Sequence, residues 1–144
     1  MECKYESSVK EIPYAQETVY RCLSDLRNLE RIKDRIPDEK IQGLEFDQDT
    51  LAVNMPPIGR ISLRIIEREE PKCIKFETDQ SPFAFNFWIQ LLPVTDDSSK
   101  MRLTLKADLN PFIKSVVGNK LQDAIDKMAD MLAVIPYEYE IIDN

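Results

Sequence analysis

Two periodicities in succession constrain this chain more than anything else in it. Residues 41–109 alternate apolar and polar, and residues 112–135 carry apolar residues at three- and four-residue spacing. Alternation sends successive side chains to opposite faces of a strand, whereas a 3.6-residue period draws a stripe along one side of a helix. The alternating runs are short. Turn formers separate them at Asp47-Gln48-Asp49, Pro56-Pro57 with Gly59, Glu70-Pro71, Ser81-Pro82 and the polar cluster at 95–99. In one phase lie Ile41, Leu44 and Phe46, then Leu51, Val53 and Met55, then Ile61, Leu63 and Ile65. Ile74, Phe76 and Thr78 follow, then the run from Phe83 through Phe85, Phe87 and Ile89 to Leu91, and finally Met101 to Leu109. Such a series predicts an antiparallel meander with one dry face.

Asn110-Pro111 marks the helix start, because Asn caps free backbone N–H groups and Pro suits the first helical position. The stripe that follows is Ile113, Val116 or Val117, Leu121, Ala124, Ile125, Met128, Met131, Leu132 and Ile135. It predicts a helix over 112–135, about 35 Å long, which Pro136 stops. A sheet with one dry face and a helix with one dry stripe bury each other most economically when the helix lies across the concave side. Each stripe residue so buried contributes roughly 1.5–3 kcal/mol.

Ahead of the meander, residues 2–12 alternate with Tyr5, Ser7 and Val9 on one face, which predicts a strand ended by Pro13. Over 15–36 the stripe Val19, Tyr20, Leu23, Leu26, Leu29, Ile32 and Ile36 predicts helix, and Ser24-Asp25 divides it into two short helices closed by Pro37. The expected fold is α+β: a curved antiparallel sheet of six to seven strands wrapped on a long C-terminal helix, with two short helices after the first strand. The 144 residues suffice for one core, so residues 1–144 read as a single domain.

Charge and composition exclude several functions. Lys and Arg total 19 against 26 Asp and Glu, a net charge of −7, which argues against a nucleic-acid partner. With no histidine, the chain cannot host a His-based triad or a His-ligated metal. Cys3, Cys22 and Cys73 are odd in number and lack metal-ligand spacing, so no disulfide framework or metal site is expected. No apolar run is long enough for membrane insertion, and a cytoplasmic protein is expected. No cofactor motif is present.

Ile12-Pro13, Val19-Tyr20, Leu23-Ser24-Asp25 and Asn28, together with Asn110-Pro111 before the last helix, sit in an order of elements that resembles the START-like superfamily (polyketide cyclase/dehydrase and lipid-transport proteins, SRPBCC). The resemblance implies a helix-grip fold holding a hydrophobic small molecule or lipid between sheet and helix. Some members are cyclases, aromatases or co-chaperone-like modules. Two departures stand out. The glycine-rich loop of the plant-allergen branch is replaced by Asp47-Gln48-Asp49-Thr50, and the inward-facing set carries only Tyr5, Ser7 and Thr78 as polar members.

The expected ligand contacts are Tyr5, Phe76, Phe85, Phe87, Met101, Leu105, Leu121, Ile125 and Met128. The same side chains can line a pocket or fill a core, and periodicity does not distinguish the two. A cyclase or aromatase with Tyr5 or Tyr20 as acid is implied by resemblance alone, and no catalytic residue is assigned from the residues themselves. A third reading is a filled-core module that docks another protein, or a second copy, through the face bearing Trp88. The acidic tail Glu138, Glu140 and Asp143 reads as a solubilising end.

Overall fold

The computed structural model describes residues 2–32, 42–55 and 59–137. The expected stop at Pro37, the Pro56-Pro57 break and the acidic tail lie outside them. Strands β1 (Glu2–Glu6), β2 (Lys10–Ile12), β3 (Gln42–Phe46), β4 (Thr50–Met55), β5 (Gly59–Glu69), β6 (Cys73–Gln80), β7 (Phe85–Thr95) and β8 (Ser98–Asp108) form one antiparallel sheet. Its order is β1-β8-β7-β6-β5-β4-β3, with β2 also on β8. Among the described residues the helices are α1 (Gln16–Leu23), α2 (Leu29–Ile32) and α3 (Pro111–Ala133), with a 3-10 turn, Leu26–Asn28, ahead of α2.

The first strand departs from expectation by splitting in two. Between the pairs Glu6↔Thr104 and Lys10↔Met101 it spends one residue more than β8 does. Ser7 absorbs the extra residue. Its N–H donates to the Leu103 carbonyl at 2.9 Å, and its Oγ accepts the Leu103 N–H at 2.9 Å. An inserted residue flips the side-chain parity of everything after it. Val9, expected on the dry face, is therefore 53% exposed, and Ile12 turns inward instead. Counting this split, the described residues contribute eight strands to the sheet. The same device acts in β5, where the pairing shifts between Ile65↔Phe76 and Glu67↔Lys75 and leaves Ile66 outside the buried phase.

Ser24-Asp25 breaks the helical segment as expected. The Asp25 carboxylate accepts the Arg27 N–H at 3.0 Å and caps the 3-10 turn. Buried Asn28 then donates from Nδ2 to the Cys22 carbonyl at 2.8 Å, which holds the turn against α1. At α3, Asn110 Oδ1 accepts the Ile113 N–H at 2.8 Å, and the helix ends two residues before the expected Ile135.

The helix buries Val117, Leu121, Ile125, Ala129 and Leu132. Its closest neighbours in the sheet are β1, β2 and β8. Two small residues permit that approach: Ala129 is wholly buried, and a Cβ on Gly118 would lie 3.3 Å from the Tyr5 hydroxyl oxygen. Gln122 donates to the Glu6 carbonyl at 2.9 Å, and Lys10 pairs with Asp130. Beyond the helix, Tyr137 is buried, donates to the Leu132 carbonyl at 2.6 Å, and meets Tyr14 edge-on.

Candidate functional site

The close contacts of α3 are with β1, β2 and β8, and the space over the other strands is incompletely filled. A cavity of about 170 Å³ remains there. Its floor includes Phe76, Phe85, Phe87, Ile89 and Leu105 on β6, β7 and β8. Phe76 and Phe87 are cross-strand partners whose ring centroids are 5.6 Å apart. Leu51, Val53, Ile61 and Leu63 extend the floor along β4 and β5, and Leu44 adds the β3 edge. The roof comes from α3 through Leu121, Ala124, Ile125, Met128, Met131 and Leu132, with Ile135 just beyond it. Leu23, Leu26 and Leu29 close one side from α1, the 3-10 turn and α2.

Chemically the cavity is uniform. Among the described residues, every lining side chain is Leu, Ile, Val, Phe, Ala or Met. Such a space offers water no hydrogen-bond partner, and a dry apolar cavity of about 150 Å³ is large enough for benzene. Leu29, Leu44, Leu51, Met128 and Met131 are only half-buried, so among the described residues the side between α3 and the β3–β4 hairpin is the least covered.

Of the nine expected contacts, Phe76, Phe85, Phe87, Leu105, Leu121, Ile125 and Met128 are brought together around this cavity. Met101 and Tyr5 are not. Met101 is 1% exposed in the stretch of β8 that pairs with β2, away from the opening. Tyr5 projects against Gly118 from β1, where its hydroxyl is buried without a hydrogen-bond partner. Tyr20 does not line the cavity either. It borders a polar surface recess with Arg21, Ser24, Asp25, Asn28, Arg68 and Glu70. Burial holds both phenols above the usual tyrosine range, and Glu70 adds to the effect at Tyr20.

Trp88 lies on the outer face of the sheet, half-buried, with the Lys75 and Lys106 ammonium groups 5.3 Å and 5.7 Å from its ring centroid. Those two cations flank the indole, as cation–π geometry favours.

Reasoning from sequence missed the contribution of the short helices and of β3–β5. Leu44, Leu51, Val53, Ile61 and Leu63 share the inward phase, but phase states which face a residue occupies, not where on that face a gap is left. It also missed Arg68, which secures the side of the site. Its Nε donates to the Ser24 carbonyl at 2.9 Å, and its Nη2 reaches Asp49 Oδ1 at 2.6 Å. Leu26 N–H donates to the Gln48 carbonyl at 3.1 Å beside them. The β3–β4 turn that lacks glycine is thus the anchor for the short helical segment.

A family model described as polyketide cyclase / dehydrase and lipid transport matches residues 3–134. Among solved structures, norcoclaurine synthase from Thalictrum flavum, in complex with dopamine and hydroxybenzaldehyde, superposes with a TM-score of 0.75 at 14% identity. The match covers 96% of this chain and 88% of that one. A START superfamily protein from Mycobacterium smegmatis gives 0.58 at 14% identity, covering 91% and 98% of the two chains. A protein from Thermobifida fusca gives 0.64 at 14% identity, covering 98% and 97%. Among curated protein sequences none matches. At these identities the structural likeness is one of fold: an open antiparallel sheet gripping a long C-terminal helix. No helix among the described residues is long and apolar enough to cross a membrane.

Proposed function

The chain belongs to the polyketide cyclase/dehydrase and lipid transport family, and we propose that it is a binding protein that holds an apolar small molecule or lipid between the sheet and α3. The single observation behind this reading is the dry cavity of about 170 Å³ at the place where the helix-grip fold brings its two apolar surfaces together. In this reading the ligand rests on Phe76, Phe85, Phe87 and Leu105, with Leu121, Ile125 and Met128 above it. Burial of its apolar surface supplies the binding free energy, at roughly 25 cal/mol per Å² before the costs of association.

Native mass spectrometry of the protein purified from its own host tests the proposal. The expected result is a hydrophobic adduct that organic extraction removes, with a melting temperature that falls on extraction and recovers when the extract is returned. A single bare mass, together with no thermal response to any added hydrophobe, would overturn it.

A further inference from the structure

We infer that the part of the ligand entering the cavity is bare hydrocarbon, an alkyl or prenyl chain or an unsubstituted ring, and that its hydroxyl, carbonyl or charged groups remain outside. The inference rests on the binding function proposed above and narrows it to a chemical class.

Three observations carry it. First, no polar atom of the described residues faces the cavity, backbone included. Second, buried polar side chains of the described residues are already committed to the protein itself. Gln16 donates to the Leu91 carbonyl at 3.0 Å, Asn28 to the Cys22 carbonyl, Ser99 to the Tyr14 carbonyl at 2.9 Å, and Tyr137 to the Leu132 carbonyl. The one buried side-chain atom without a partner among the described residues is the Tyr5 hydroxyl, which abuts Gly118 and does not line the cavity. Third, two charged pairs beside the short helices are held within the protein. Asp25 binds Arg27, and Arg68 binds Asp49 and the Ser24 carbonyl.

A ligand hydroxyl placed inside would therefore lose its water and gain no partner. That loss corresponds to a factor of about 5 to 150 in affinity. A hydrocarbon segment pays no such penalty, and the flexible Met128 and Met131 side chains on the least covered side can close around chains of differing shape. The lining thus selects by the absence of polarity, a sharper criterion than size when the competitor is an isosteric phenol.

Toluene and p-cresol, which differ by one hydroxyl, test this on protein labelled with carbon-13 at the methionine methyl groups. Met128 and Met131 report on the cavity, while Met101 serves as a buried control that does not line it. Toluene is expected to shift the Met128 and Met131 methyl signals in a saturable titration and to leave Met101 in place. p-Cresol is expected to bind at the same two methyls at least about fivefold more weakly. Equal or tighter binding of p-cresol, with intermolecular NOEs that place its hydroxyl end against Leu121 and Ile125, overturns the hydrocarbon inference and leaves the binding function standing. A hydroxyl end held at Met128 and Met131 accords with the inference. Toluene that moves neither cavity methyl overturns the binding function and the inference together.

Discussion

Arg68 Nη2 lies 2.6 Å from Asp49 Oδ1, and the same guanidinium donates through Nε to the Ser24 carbonyl at 2.9 Å. One side chain on β5 therefore joins the end of α1 to the β3–β4 turn. Leu26 and Leu29, which follow Ser24, are the residues that this joint holds over the cavity. A planar fork with several donors suits the task, and a lysine cannot reproduce it.

Removing that joint should loosen the short helices and little else. In Arg68→Ala, hydrogen exchange at residues 24–29 and 47–50 is expected to accelerate while β7 and β8 keep their protection, because the pair is partly exposed and contributes only about 0–1 kcal/mol to global stability. Arg68→Lys should behave as the alanine variant does. Uniform acceleration across the sheet would contradict this local role.

Met101 and Met128 should respond differently to truncation. Met101 is fully buried in packed surroundings, so Met101→Ala is expected to cost about 2–5 kcal/mol in urea unfolding. Met128 is half-buried beside a space already empty, and Met128→Ala should cost well under half of that. Equal losses would mean that no cavity exists at Met128.

Ala124 lines the cavity from the helix and is itself only half-buried. Ala124→Phe should occupy the space from within, preserve the melting temperature, and reduce uptake of a hydrophobic probe about tenfold or more. Isothermal titration against the unaltered protein reads the ratio. Undiminished uptake would move the binding site elsewhere.

The contact between Tyr5 and Gly118 lends itself to a double-mutant cycle. Gly118→Ala gains helix propensity of roughly 1 kcal/mol but places a methyl 3.3 Å from the Tyr5 hydroxyl oxygen, so the two effects offset each other. Tyr5→Phe removes a buried hydroxyl that lacks a partner and should be neutral or stabilising. In the Tyr5→Phe background, Gly118→Ala should add stability, and chemical denaturation of the four proteins checks that sign.

Asp25 gives a pH dependence of known sign. Hydrogen bonds from Arg27 hold its carboxyl below the usual carboxylate range, against the opposing effect of burial. A group with a depressed folded-state pKa adds stability above its unfolded pKa and loses it as pH falls through the folded value. Asp25→Asn should therefore be less stable than the parent at pH 7 and should converge with it in acid, below the ordinary aspartate range. A constant gap across that range would remove Asp25 from the acid response.

Much of this architecture could be read before any coordinates. The Asn110 cap, the Asp25 break and the inward phase of Phe85, Phe87 and Leu105 are local features, each set by residues within a turn or two of one another. Val9 departs from its alternating phase because the extra residue at Ser7 is defined by pairing with Leu103, nearly a hundred positions away. Arg68 gave no local signal at all, since its acceptors at Ser24, Gln48 and Asp49 become neighbours only after folding.

What the amino-acid order determined by itself is which surfaces are dry: one face of a meander, one stripe of a final helix, and a short helical pair broken by a cap. Whether those surfaces close completely was decided only in three dimensions. The small residues Gly118 and Ala129 let α3 approach β1, β2 and β8, and over the remaining strands helix and sheet leave a gap. Periodicity specifies direction around an element and carries no information about the distance between elements, and the cavity is a consequence of that distance.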